Sequence, residues 1–192
     1  MSSLRERRRK RTADTIRFAA VDLAYELGLD NVTTEMISKA AGISPRTFFN
    51  YFAYKELVFV PPALDFDQKA VDEFVTKSTS LIDDIVSMFH MELCDIDQDR
   101  DFMLKMQKIA LENPKLLMLR MSAFHEYEVK LSALICKRLN CGNDNAEAQQ
   151  IAAMIMASIR IGIEHWMEYG GGSLVDSVEA RIRAIPTVFN NC

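Results

Sequence analysis

The sequence predicts an all-α chain, and three observations carry that expectation. Glycine (7) and proline (5) are scarce among 192 residues. No run of Val/Ile/Thr strands with regularly spaced turns appears, which argues against sandwiches and barrels. Apolar residues recur at helical period, with Ile16, Ala19, Ala20, Leu23, Ala24 and Leu27 at i, i+3, i+4, i+7, i+8 and i+11. Punctuation at Val60-Pro61-Pro62, Asn113-Pro114, Asn140-Cys141-Gly142-Asn143 and Gly170-Gly171-Gly172 divides the remainder into lengths that suit helices. A composition 49% hydrophobic and 26% charged belongs to a folded globular chain. The longest apolar stretch, Ile151 to Ile159, is interrupted by Ser158 and falls far short of the ~20 residues that span a bilayer. The GxGxxG and GxxxxGK[ST] phosphate loops are absent.

Charge is unevenly spread. Residues 1–60 carry ten Lys/Arg against seven Asp/Glu, and the rest carry thirteen against twenty. A basic N-terminal end on an acidic body suggests that this end meets a polyanion. The run 5–11, Arg-Glu-Arg-Arg-Arg-Lys-Arg, reads either as a solvated tail or as an arm along a polyanion. It does not lead into a secretory apolar segment, because Arg17, Asp22 and Glu26 interrupt the apolar residues beyond it. A cytoplasmic protein is the expectation, with Cys94, Cys136, Cys141 and Cys192 as free thiols and no CxxC pair.

The first helix is expected over 12–27, with Phe18, Val21 and Tyr25 as a second stripe and Gly28 just past its end. Thr33 or Thr34 can cap a short second helix, in which Met36, Ile37, Ala40 and Ala41 face inward and which Gly42 ends. Ser44 then caps a third helix that has Pro45 at its first position and runs on through Phe52. Two short helices joined by a few residues containing Gly form a helix-turn-helix. The small Ala40, Ala41 and Gly42 let them cross closely, and the first side chains of the second would enter a DNA major groove. The alternative is an αα-hairpin that only packs. Agreement of caps, small residues, basic flank and aromatic density favours DNA.

The string Thr33-Thr34-x-x-Ile37-x-x-Ala40-Ala41-Gly42-Ile43-Ser44-x-x-Thr47-Phe48-Phe49-x-Tyr51-Phe52-x-x-Lys55-Glu56-Leu57 resembles the signature of the TetR/AcrR family of transcriptional regulators, over roughly residues 12–58. The resemblance implies an N-terminal three-helix DNA-binding domain (1–58) followed by a larger helical regulatory and dimerisation domain (59–192). It implies a repressor released from a palindromic operator by a small-molecule effector, and a homodimer formed through the last two helices, about 145–169 and 174–189. Carried over by position, Thr34 caps the second helix and touches a phosphate. Ser44, Pro45, Arg46 and Thr47 begin the recognition helix. Arg46 would read guanine and Asn50 adenine, while Tyr51 and Lys55 would hold phosphates. Phe48 and Phe52 belong to the core. Phe49 stands where the family more often has Tyr, and would meet sugar or a thymine methyl. Tyr54 stands where Ser commonly caps, so the next helix should start poorly.

Beyond Val60-Pro61-Pro62, with a loop at Asp65 to Asp67, helices are expected at about 69–76, 78–94, 99–112, 114–139, 145–169 and 174–189. The segment 145–169 is apolar on nearly every side and should be buried from two directions, with Gly162 easing close approach across the dimer seam. Methionines cluster beyond residue 87. They fill core gaps on the plainer reading and line an adaptable cavity on the other. Met88, Met91, Met106, Met121, His125 and Arg160 are the candidate ligand residues. His125-x-x-Glu128 and His165-x-x-Glu168 have a spacing that can hold metal, but no third ligand is evident, so no metal or cofactor is expected. No Ser/His/Asp or paired-carboxylate arrangement suggests catalysis, and the reading is non-enzymatic. The competing reading is a helical small-molecule or protein-interaction module that does not read DNA.

Overall fold

The computed structural model describes residues 4–62, 66, 68–77, 79–94, 99–142 and 145–188. Among them the regular elements are helical: α1 (Leu4–Leu27), α2 (Thr34–Ala40), α3 (Pro45–Phe49), α4 (Gln68–Thr76), α5 (Leu81–Cys94), α6 (Arg100–Glu112), α7 (Pro114–Leu139), α8 (Ala146–Tyr169) and α9 (Leu174–Val188). Short 3-10 turns occupy Leu29–Asn31 and Lys55–Phe59. The loop expected at Asp65 to Asp67 lies largely outside the described residues. No helix among the described residues is long and apolar enough to cross a membrane.

Local chemistry explains most boundaries. Asp99 caps α6 by accepting from the Phe102 N–H, and Asn145 caps α8 by accepting from the Ala148 N–H. The end of α2 is a Schellman turn: Gly42, at φ 67°, donates to the Lys39 carbonyl and Ile43 to the Ser38 carbonyl. Asn140 (φ 52°) ends α7 in the same way, its N–H going to Lys137 and that of Cys141 to Cys136. Between α8 and α9, Ser173 and Asp176 exchange hydrogen bonds, each backbone N–H donating to the other's side chain.

The chain packs as two compact units, and they do not follow chain order. One joins residues 1–62 with 99–123, the other 63–98 with 124–192. The first unit is built on Ile16, Ala20, Val21, Ile37, Phe48, Val58 and Phe59, all buried, together with Met106, Ile109, Ala110 and Leu116 from α6 and the start of α7. Phe18 meets Phe102 at 4.4 Å between ring centroids, and Lys105 ties α6 to α1 through Asp22 at 3.1 Å. A contiguous division near residue 58 therefore does not describe the packing. Apolar faces on α1 and on the 3-10 turn at 55–59 are covered by a segment forty residues downstream. The second stripe of α1 also differs from expectation. Val21 is fully buried, but Tyr25 is exposed with Lys105 and Lys108 over its ring, and Leu27, the last residue of the first stripe, is exposed as well.

In the second unit α8 and α9 form an antiparallel pair, with Ile155, Ile159 and Trp166 buried on one helix and Leu174, Val178 and Ile182 on the other. Gly162 lies where the two touch. A Cβ there would stand 2.7 Å from Val178 Cα. The glycine thus serves the crossing of α8 with α9 inside one chain, a correction to its expected place on a seam between subunits. Arg138 links α7 to two other segments. Its guanidinium donates to the Phe74 and Thr79 carbonyls, both at 2.8 Å, lies 4.9 Å from the Phe74 ring centroid, and pairs with Asp84 at 2.7 Å.

Candidate nucleic-acid interface

The helix-turn-helix is assembled by its caps. Thr33, in extended backbone, accepts from the Met36 N–H at 3.2 Å, so Thr33 and not Thr34 caps α2. Thr34 is the first helical residue, and its hydroxyl donates to the Glu35 carboxylate at 3.3 Å. The Glu35 N–H and the Thr33 hydroxyl, with a smaller contribution from Thr34, hold that carboxyl below its ordinary range. An anionic Glu35 thus stands where Thr34 was expected to meet a phosphate. Ser44 caps α3 as expected, accepting from the Thr47 N–H at 3.0 Å, with Pro45 at the first position. The Ser44 and Thr47 hydroxyls share a 2.8 Å hydrogen bond, which leaves less of either for a ligand.

Helix α3 is only five residues long, and its sides divide sharply. Phe48 is fully buried and Phe52 nearly so, the two rings 5.8 Å apart. Pro45, Arg46, Phe49 and Asn50 are exposed. Arg46, Phe49 and Asn50 are spaced i, i+3 and i+4 and so share one face. Phe49 is 53% exposed and braced edge-on by Phe48, with centroids 5.5 Å apart. A large apolar side chain held out to solvent beside a guanidinium and an amide offers a hydrogen-bonding fork, a second bidentate group and a methyl-contacting ring on one surface. That surface is what a major-groove reader needs.

Two other expected residues take different positions. Lys55 was expected on a phosphate, but its half-buried ammonium is turned inward, donating to the Leu29 carbonyl at 2.8 Å and the Val32 carbonyl at 2.7 Å. It closes the loop between α1 and α2 across more than twenty residues of sequence, a role that spacing could not reveal. Lys55→Met should lower stability by about 1.5 kcal/mol in urea unfolding, the scale of a hydrogen bond to a charged group, and arginine should not restore it. Tyr51 is half-buried, with the Arg9 guanidinium 5.1 Å from its ring centroid. The basic segment 5–11 is therefore not a loose arm but the first turns of α1, with Arg9 laid against the residue just beyond α3 and its cap. As expected for Tyr54, the 3-10 turn after it has no side-chain cap.

The candidate ligand residues do not converge. Met88 is buried in the second unit and Met106 in the core of the first. Met121 is 65% exposed, His125 is exposed, and exposed Arg160 is paired with Glu164 at 3.0 Å along α8. The Met91 side chain lies outside the described residues. Helical spacing identifies one face of one helix and does not say which helices face one another. The second unit instead has an apolar cleft of about 380 Å³ lined by Ser80, Leu81, Ile82, Ile85, Ile151, Met154, Ile155 and Ile185. Its β-branched and leucine lining resembles ordinary core positions in sequence, so only the helix arrangement exposes it. No group of three or more His/Cys/Asp/Glu suited to a metal occurs among the described residues.

Residues 16–60 match the family model described as bacterial regulatory proteins, tetR family. The chain is 38% identical over 65 residues to the HTH-type transcriptional regulator TcmR of Streptomyces glaucescens, a match covering 34% of this chain and 29% of that one. It thus spans under a third of that relative's length. It is 23% identical over 188 residues to the putative mycofactocin biosynthesis transcriptional regulator MftR of Mycobacterium tuberculosis, covering 91% and 89% of the two chains. Among solved structures, the fatty acid degradation regulator FadR from Bacillus halodurans superposes with a TM-score of 0.54 at 19% identity, covering 91% of this chain and 94% of that one. At that identity the likeness shows the fold.

Proposed function

We propose that the chain, whose residues 16–60 match the tetR family of bacterial regulatory proteins, is a homodimeric transcriptional repressor of that family that reads a near-palindromic operator and releases it on binding a small apolar effector. One observation carries the DNA reading. Helix α3 is capped by Ser44, anchored by buried Phe48, and turns Arg46, Phe49 and Asn50 outward together. Arg46 pairs with guanine, Asn50 with adenine, and Phe49 packs on sugar or a thymine methyl. The reading head is the unit that carries the helix-turn-helix and is completed by 99–123, and the regulatory and dimerisation body is the other unit, 63–98 with 124–192.

A two-fold assembly supplies two heads to two half-sites. Support for a seam on α8 comes from Met154, Ala157 and Ile161, incompletely buried at i, i+3 and i+7, with Ile161 45% exposed. The apolar cleft bounded by α5, α8 and α9 favours a hydrophobic effector over a charged one. Effector and operator then compete through one two-state equilibrium, and each weakens the other by the same factor.

Selection of bound sequences from random duplex DNA, with a salt titration of the winners, tests this reading. The expected result is an enriched near-palindrome whose affinity falls steeply with salt. Arg46→Ala should cost ~1–3 kcal/mol on the selected operator and relax preference at one base pair per half-site. An absence of enrichment for protein refolded free of small molecules would sink the reading in favour of a helical binding module that does not read DNA.

A further inference from the structure

Two cysteines of the second unit are brought together by a helix ending. Cys136 sits in the last turn of α7 and Cys141 comes five residues later. Between them Asn140 takes the left-handed conformation at φ 52°, and the Cys141 N–H donates to the Cys136 carbonyl at 3.0 Å. In this Schellman turn the side chains of those two positions face one another. The turn is tied down at both positions: the Cys136 thiol donates to the Gly142 carbonyl at 3.2 Å, next to the Cys141 backbone bond to Cys136. Burial, and then the neighbouring Cys136 thiol, push the Cys141 thiol above its ordinary value. Cys136 is 1% exposed and Cys141 half-buried, so Cys141 is the more accessible residue of the pair.

We propose that Cys136 and Cys141 form a dithiol–disulfide couple, a two-electron oxidation site entered at Cys141 and resolved by Cys136. The oxidant is a low-molecular-weight disulfide or a peroxide. With a small disulfide, the Cys141 thiolate attacks one of its sulfurs and releases a small thiolate. Cys136 then gives up its proton and attacks the Cys141 sulfur, releasing the second small thiol. The protein loses two protons and two electrons, and the small disulfide takes them up to become two thiols. With a peroxide, Cys141 becomes a sulfenic acid with loss of one water, and attack by Cys136 releases a second. The turn that faces the two side chains toward one another makes the second step intramolecular and disfavours a lasting mixed disulfide. Exposed Cys94 belongs to no such pair in the described structure and serves as the internal comparison.

The experiment treats the full chain with oxidised glutathione and maps cysteines by tryptic mass spectrometry. Lys137 and Arg138 fall between the two cysteines, so trypsin separates them unless they are bonded. The expected result is a linked 136–141 peptide pair lighter by two hydrogens, no glutathione left on Cys141, and glutathione retained on Cys94. In Cys136→Ser, Cys141 should hold glutathione stably. In Cys141→Ser, Cys136 should stay unmodified. Far-ultraviolet circular dichroism of each variant checks that it has folded. Wild-type Cys141 retaining glutathione like Cys94, a bond from either cysteine to Cys94 or Cys192, or unreacted Cys136 and Cys141 under conditions that modify Cys94 would each overturn the proposal.

Discussion

Arg138→Met should destabilise the protein by about 3–5 kcal/mol, the usual cost of stripping one partner from a buried ion pair. The Arg138 side chain is 7% exposed and that of Asp84 10%. Removing the guanidinium leaves the Asp84 carboxylate buried with, among the described side chains, the Thr79 hydroxyl at 2.7 Å as its remaining donor. It also frees the Phe74 and Thr79 carbonyls, which lie where α4 ends and α5 begins. Methionine retains most of the packing against Phe74, so the loss measured by denaturant unfolding reports charge and hydrogen bonding more than volume. Converting both residues, Arg138→Met with Asp84→Leu, should recover more than half of the loss, because no unpaired charge then remains buried. A double variant no more stable than the single one would refute this account.

The same pair sets an acid limit. Burial works to raise the Asp84 carboxyl, but hydrogen bonds from Thr79 and Arg138 and the Arg138 charge more than offset it and hold the group below its ordinary range. A carboxyl depressed on folding adds stability above its unfolded value, near ~3.9, and loses it as pH falls through the folded value. Stability should therefore fall below about pH 4, and the slope there should flatten in Asp84→Asn. An unchanged acid slope in that variant would place the limiting carboxyl elsewhere.

Gly162→Ala should cost about 2–3 kcal/mol, although alanine is the better helix former by ~1 kcal/mol. The added Cβ would meet Val178 Cα at 2.7 Å, Val178 Cγ2 at 3.0 Å and the Ser177 carbonyl at 3.1 Å. Two of those atoms are backbone, so relief requires α8 and α9 to separate along their whole contact. Separation also stretches the 2.8 Å bond from the Ser177 hydroxyl to the Gly162 carbonyl. Urea unfolding measures the loss, and Val178→Ala in the Gly162→Ala background should restore only part of it, because it removes Cγ2 and leaves the backbone contact. Stability equal to or above that of the parent would mean that α8 and α9 can move apart freely.

Where local chemistry decides, residues and structure agree closely. Helix α7 runs from Pro114 to Leu139 because Asn113-Pro114 starts it and Asn140 ends it. Helix α3 begins at Pro45 because Ser44 can accept from Thr47 and proline needs no partner. The outward set Arg46, Phe49 and Asn50 was singled out by the family resemblance, and the Ser44 cap that fixes the register of α3 places the three on one face. Contacts between distant segments were not legible. Nothing near Lys55 announces the Leu29 and Val32 carbonyls, nothing in 99–123 announces the core it joins, and Met88 and Met121 share a residue type but opposite environments. By itself the sequence determined that the chain is helical and where most helices lie, because capping, periodicity and positive-φ positions act over a few residues, although α1 begins earlier and α3 ends sooner than those signals say. Only the tertiary structure decided which charges pair, where Gly162 is needed and where a cleft opens, because those depend on apolar faces choosing partners across the chain.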